Sequence, residues 1–386
     1  MTAPSPYSAV KPKLQLAWDS TSLRALQFCA RYYQLSQLEG WRGSSIDLEF
    51  GILFASSAET FKKVRAAGGS HEDASLAALR YAVENSWEHS ECANCGTGTC
   101  EGVCGGDGRE YLGQPWGGHY EDQWHCTGTE PFKNAKGNRA KCPWSHKGKW
   151  FPPPSGDTCG VCGSPTETVR RYAPNDRLKN RETLVRLVIG YCDEQPQEIE
   201  NGRRAIIFPD GRAAVELSWK MPLPVVAKTG ERFIASGHFD SLETDGVENF
   251  VVDNKTTKSY ISGKDYWKQY APNAQIDMHD VAGALLYPQL NIKGVMIDAA
   301  QVTASGAEYA SQIFYRNEAQ RDEFLNEVKW WLEQAERYAD DNYWPMNRTN
   351  CKFCDFNSIC SKDPSQRERY LKADFTQRHW NPLEER

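Results

Sequence analysis

The chain has 386 residues, 40% of them hydrophobic, with 45 Lys and Arg against 51 Asp and Glu for a formal net charge of −6. That length holds one large domain with insertions or two to three smaller ones, and the mild acidity excludes binding of nucleic acid through global positive charge, so any such contact needs local basic surface. No apolar run approaches the roughly 20 residues of a membrane-spanning helix, and MTAPSPYSAVKPK at the N-terminus has no signal-peptide core; a soluble cytoplasmic protein is expected, whose 13 cysteines serve metal or cluster ligation rather than disulfides.

Residues 1–18 read as an extended lead-in. Ser20-Thr21-Ser22 are good N-cap residues, and Leu23, Leu26, Ala30 and Tyr33 recur at helical spacing behind them. This helix carries Cys29, which taken alone reads as a small core residue. LEFGILFASSAETF follows, and a further helix is expected over 72–90, with Ala77, Leu79, Tyr81, Val83 and Trp87 apolar.

Between Glu91 and Pro165 the composition changes. Glycine is dense, apolar periodicity disappears, and eight cysteines occur: Cys92, Cys95, Cys100, Cys104, Cys126, Cys142, Cys159 and Cys162. So few apolar residues cannot build a conventional core, and metal ligation can replace one. Cys92-x₂-Cys95 and Cys159-x₂-Cys162 are paired knuckles that together would make one tetrahedral Cys₄ zinc site. Cys100, Cys104, Cys126 and Cys142 remain for a second, with His119, His125 or His146 able to replace one of them. One or two zinc ions are therefore expected. Residues 131–156 contain no acid; Lys133, Lys136, Arg139, Lys141, Lys147 and Lys149 alternate with Trp144, Trp150 and Phe151. Such a run can neutralise phosphates and stack on bases, or be a solvated basic loop.

Residues 180–195 read as a helix with Leu184, Leu187, Val188 and Tyr191 on one face, and Cys192 as a core or boundary thiol. The strand AAVELSWKMPL carries Glu216, which alternation places opposite Val215 and Leu217. Ile234 to Leu242 and Asn249 to Lys255 read as two strands joined by the turn signal Thr244-Asp245-Gly246. Strand alternation puts Asp253 and Lys255 on one face, Asn254 on the other, and the hairpin brings Asp240 opposite the pair. Burying such charges is costly unless they pair or hold a metal. Two acidic oxygens suit Mg²⁺ or Mn²⁺; a plain salt-bridged hairpin is the structural alternative. A helix is expected from about Asn273, with Gln275 and His279 four apart on one face. A strand near Gly294–Val302 follows, then an amphipathic helix over 318–342 with a core stripe of Phe324, Val328, Trp331, Leu332, Ala335 and Tyr338. Last comes Cys351-x₂-Cys354-x₅-Cys360, three thiolates, one short of a Cys₄ set.

Glu216, the stretch G-H-F-D at 237–240, D-N-K at 253–255 and Gln275 stand in an order that resembles the PD-(D/E)XK nuclease superfamily, in particular its RecB/AddB-like branch and phage-encoded relatives. The resemblance covers roughly residues 20–60 and 180–365, and leaves out the insertion. It implies an α/β fold with a mixed central sheet flanked by helices, and two-carboxylate, divalent-metal cleavage of DNA. By position it makes Asp240 and Asp253 the metal carboxylates, the Asn254 carbonyl a further ligand, and Lys255 the family lysine. Glu216 falls near the metal, and Gln275 faces site and DNA. It also picks Cys29 to join Cys351, Cys354 and Cys360 around a 4Fe–4S cluster that staples the chain's ends; cysteine ligation alone suits zinc or iron–sulfur. The chain departs from the family twice. Gly51-Ile52-Leu53-Phe54 ends in Phe54 where the family has a histidine, and His279 stands where the family has a tyrosine.

The expected domain plan is a helical part of the nuclease domain over 1–90, a cysteine-rich insertion over 91–165, the nuclease core over 166–345 and a cysteine segment with tail over 346–386. The expected activity is a DNA exonuclease of prokaryotic or phage recombination, repair or DNA processing, acting on single strands or duplex ends alongside recombination or replication proteins, with no membrane partner. The alternative is a catalytically inactive DNA-binding scaffold with structural zinc and iron–sulfur sites.

Overall fold

A computed structural model of the chain describes residues 5–88 except 12 and 44, then 114–128, 132–133, 136–137, 139–140, 142, 158–159, and 161–384 except 201 and 304. It divides into two compact units. One comprises Met1–Ala82 with Arg186–Arg386, the other Val83–Val185. The second unit is wider than the expected insertion, because flanking sequence on both sides is drawn into it.

In the first unit a short strand β1 (Ala17–Trp18) leads into α1 (Ser20–Phe28). The cap is Asp19 rather than a residue of the Ser20–Ser22 run. Its carboxylate accepts from the Ser22 amide, and the Ser22 hydroxyl returns a bond to the Asp19 amide. The helical spacing continues to Tyr33, but the helix stops at Cys29, which is fully extended at φ −170° and ψ 123°. A short helical turn (Ala30–Tyr33) resumes beyond it. Next come α2 (Ile46–Ala66) and α3 (His71–Asn85). The second unit contributes β2 (Gly118–Cys126) and β3 (Thr166–Pro174), an antiparallel pair running from Gly118↔Pro174 to Cys126↔Thr166. Helix α4 (Arg181–Glu200) carries the chain back.

The sheet of the first unit is built around one long strand. Two-residue β4 (Arg204–Ala205) and β5 (Val215–Val226) pair antiparallel with β6 (Arg232–Thr244). On the other edge, β1 pairs parallel with Ile234 and Ala235, and β7 (Asn249–Thr257) pairs antiparallel from Ser241 to Thr244. Helix α5 (Ala274–Leu286) then crosses over so that β8 (Ile292–Val302) runs parallel to β7, and β9 (Ala307–Tyr315) turns back antiparallel to β8. The mixed α/β sheet that the resemblance implies is thus present, with α6 (Glu318–Asp341) the last long helix.

The main core lies on the α1, α5 and α6 face. Leu23, Ile276, Val281, Phe324 and Leu332 pack there against Phe233, Leu242, Val251 and Val295. Gly283 permits the close approach of α5: a Cβ there would stand 2.9 Å from Val251 Cγ2. Helix α2 covers the opposite face. The Lys62 ammonium donates to Ser241 Oγ at 3.1 Å, and Gly51 lies beside Thr256.

Candidate active site and cysteine centres

Strand β6 is paired on its β7 edge only from Ser241 onward, and on its β1 edge only at Ile234 and Ala235. Residues 236–240 lie in the gap between those partners, and Asp240 is the last before β7 joins. The alternation also slips here. Phe233, Ala235 and Phe239 enter the main core, and the next core residue of the strand is Leu242. Strand β5 slips in step. Val215 pairs with Ser241 and Leu217 with Phe239, leaving Glu216 and Asp240 out of the ladder between them, with Glu216 left-handed at φ 56°. A side chain in that backbone region is strained and needs support from its surroundings.

The fork puts Asp240 beside Asp253. Asp240 Oδ2 accepts the Asn254 backbone N–H at 2.7 Å and the Asn254 side-chain amide at 3.1 Å, so a carboxylate takes the place of the missing ladder partner. Asp253 is buried, with Oδ2 2.6 Å from the Lys255 ammonium and Oδ1 accepting from Gln275 Nε2 at 3.3 Å. Asparagine 273 caps α5 through Oδ1, which fixes the turn that carries Gln275. Burial and then the nearby Asp253 charge push the Asp240 carboxyl above its usual range, against the pull of the Asn254 amide and Lys255. Burial works against the Lys255 ammonium, yet Asp253 and Asp240 hold it above the ordinary lysine range. Two crowded carboxylates against one ammonium leave net negative charge in a desolvated fork. That donor set fits a hard divalent cation held by Asp240 and Asp253.

His279 is buried on α5, edge-on to Phe239 at 5.4 Å between ring centroids. Burial, then Lys255, lower its pKa to about 3 against the opposing Asp240 charge. Its Nδ1 is buried with no hydrogen-bond partner among the described residues. Phe54 is buried edge-on to Tyr191 at 5.7 Å and lines a cavity with Asn254 and Asp298, not with Asp240, Asp253 or Lys255. The carboxylate of Glu216 pairs with Lys63 of α2.

Sequence reasoning missed a second charged group beside the fork. Glu243, buried, lies 2.7 Å from Lys62 Nζ and 2.7 Å from Arg203 Nε, and accepts from Ser241 Oγ at 2.6 Å. Arg203 reaches on to Asp298 of β8, which also accepts from Ser311 at 2.6 Å. No local signal marks these residues, because their partners come from α2, β6, β8 and β9. Tyr266 was missed as well; the charges of Lys255 and Asp253 act on its hydroxyl, which bonds Tyr270 at 3.1 Å.

The cysteines gather differently from the expected knuckle pairing. Cys126, Cys142, Cys159 and Cys162 bring their sulfurs within 4.8 Å of one another, and among the described residues this is the one such group of possible metal donors. Two of the separations are 3.2 Å (Cys126–Cys162) and 3.8 Å (Cys142–Cys159). A tetrahedral site with Zn–S bonds of about 2.3 Å needs sulfurs about 3.8 Å apart, so the set fits one such ion. Among the described residues the Cys159-x₂-Cys162 knuckle therefore gathers with Cys126 and Cys142. The physical reason is the β2–β3 ladder, which lays Cys126 opposite Thr166, four residues after Cys162. Cys92, Cys95, Cys100 and Cys104 lie outside the described residues, as do Lys141, Trp144, Lys147 and Lys149. Lys133 and Lys136 are exposed, and Arg139 pairs with Lys133 in a two-strand ladder.

Cys29, Cys351, Cys354 and Cys360 line one cavity in the first unit. The extended backbone at Cys29 turns its thiol to the C-terminal segment, where Sγ accepts the Asn347 amide at 3.2 Å. Asn350 holds the Phe28 carbonyl at 2.7 Å, and Leu35, Trp41, Phe356, Ile359 and Leu371 form a small core beneath. These four thiols line one cavity without coming as close together as the first set, and are a second candidate centre.

In comparisons with known proteins, no curated protein matches. A solved structure described as "Crystal structure of SSO0001" is 15% identical over 47% of this chain and 70% of that one, with a TM-score of 0.24, a likeness too low to carry an argument. A family model described as the PD-(D/E)XK nuclease superfamily matches residues 179–361. That span takes in Asp240, Asp253, Lys255 and Gln275 together with the three C-terminal cysteines, and the match suggests a nuclease, a hydrolase of phosphodiester bonds.

Proposed function

We propose that the protein is a Mg²⁺- or Mn²⁺-dependent DNA nuclease, of the exonuclease kind found in recombination, repair or phage DNA processing. The observation that supports it most is the fork, where Asp240 crowds Asp253 and Lys255 stands 2.6 Å from the latter. In this reading Asp240, Asp253 and the Asn254 carbonyl hold the metal. When bound, the ion polarises a phosphoryl oxygen and lowers the pKa of its water. The Lys255 ammonium, kept charged by its two carboxylates, orients water and offsets charge developing on phosphate. Gln275 fixes the rotamer of Asp253, and Glu216 supports the fork from β5. His279, neutral and open at Nδ1, supplies the imidazole that Phe54 does not. The 4Fe–4S set of Cys29, Cys351, Cys354 and Cys360 holds the C-terminal segment against α1, and zinc organises the insertion, whose basic run from Lys133 to Lys149 contacts DNA phosphates.

The test is cleavage of single-stranded and duplex DNA by the parent protein, Asp253→Ala and Lys255→Ala in Mn²⁺. Either substitution should lower the rate by roughly 10³-fold, the several kcal/mol that metal-assisted hydrolysis supplies, without unfolding the protein. Undiminished cleavage by Asp253→Ala would falsify the assignment. Phe54 favours the second reading, an inactive DNA-binding scaffold; a parent protein that binds DNA but cuts nothing would establish it.

A further inference from the structure

A cavity of 370 Å³ opens beside the fork in the first unit. Its floor is α1 and the turn after it, and its far wall is the segment between Cys351 and Cys360. Gln275, whose amide holds Asp253, lines it together with Phe353. Arg24, Phe28, Tyr32 and Arg42 line it too, with Asp355 the one acid of the lining. Two of these residues are placed as if for an absent partner. Phe353 is 74% exposed, with the Lys352 ammonium 4.6 Å from its ring centroid. Arg24 is exposed and, among the described residues, has no hydrogen bond or ion pair.

We propose that this cavity is a track for one strand of single-stranded DNA leading to the fork. Bases stack on Phe353, and Arg24 and Arg42 neutralise the backbone. The inference rests on the nuclease reading and adds a strand preference to it. Exposed aromatic faces interleaved with cations serve unpaired nucleotides, because stacking needs a base whose face is free. Gln275 ties the track to the fork, since it lines the cavity and its amide holds Asp253. The cysteine cluster then has a definite use: it fixes the wall that presents Phe353.

The experiment measures binding, without added divalent metal, of a short oligonucleotide carrying 2-aminopurine, whose fluorescence is quenched on stacking. The proteins are the parent, Phe353→Ala, Phe353→Trp and Arg24→Gln, each checked for parental circular dichroism and metal content. The parent should prefer the single strand to the same sequence as duplex. Phe353→Ala should weaken binding about 10-fold and lose the quench, and Phe353→Trp should restore both. Arg24→Gln should flatten the slope of log K against log salt by about 0.7, one phosphate contact on a single strand. If Phe353→Ala disturbs the cysteine segment, Arg24→Gln, which breaks no contact of the fold, still carries the test. Parental affinity and salt slope in Arg24→Gln, or duplex bound as tightly as single strand, would overturn the track. The nuclease reading is judged separately, by whether the parent cuts DNA in Mn²⁺, so each can fail while the other stands.

Discussion

Glu243→Gln should be among the most destabilising single substitutions in the first unit. The carboxylate is buried and flanked by Lys62 and Arg203 at 2.7 Å each, with side-chain exposures of 5%, 7% and 10%. Solvent screening at such burial is small. Removing the shared anion leaves two buried cations without it, and breaking a buried pair by deleting one partner costs about 3–5 kcal/mol, a large part of the 5–15 kcal/mol typical of a domain. Burial opposes the charged form of Glu243, but Arg203 and Lys62 prevail and hold the carboxyl well below its usual range. The sign follows. A depressed carboxyl contributes stability above the unfolded value of about 4.5, and that contribution fades as pH falls below it. Urea unfolding followed by tryptophan fluorescence should therefore put the variant's midpoint roughly 1–2 M lower at pH 7, with the gap starting to narrow only below about pH 4.5 and closing as pH falls towards the depressed folded value. Adding Lys62→Met should cost much less than its single effect, because the second cation is no longer stranded. A loss under about 1 kcal/mol, or one equal at about pH 3 and pH 7, would refute the view that this network holds α2 to the sheet.

Two further predictions concern the metals and the histidine. Anaerobically purified protein should contain iron and zinc together; Cys351→Ser should remove the iron and leave the zinc, Cys126→Ser should do the reverse, and protein holding zinc alone would end the cluster proposal. His279→Ala should lose activity and bind Mn²⁺ more weakly, with Phe54→His restoring part of both, whereas its acid limb should match the parent's. With a pKa of about 3 His279 stays neutral throughout the assay range, so it contributes nothing to the acid limb. A His279→Ala protein that cuts like the parent at matched Mn²⁺ would show that the imidazole is only packing.

The local signals of this chain are dense where structure depends on neighbours in sequence. Alternation located β6 and β7, the Asp-Gly turn located the hairpin, and the i, i+4 spacing put Gln275 and His279 on one face of a helix capped by Asn273. The D-x-K spacing carried Asp253 and Lys255 to one face because a strand has period two. Tertiary structure decided the rest. Nothing in the residues shows that the β1/β7 edge of β6 has no strand partner between Ala235 and Ser241, that its alternation slips at Asp240, or that Glu216 is left-handed opposite the slip. Those features arise because β1 and β7 share one edge of β6 and do not meet. Nor does spacing choose among eight cysteines: C-x₂-C makes a knuckle, but the long β2–β3 ladder determines that Cys126 meets Cys162. The Lys62–Glu243–Arg203 network was illegible for the same reason. Periodicity reports which way a side chain points along its own element, and only the packing of elements remote in sequence determines what it meets there.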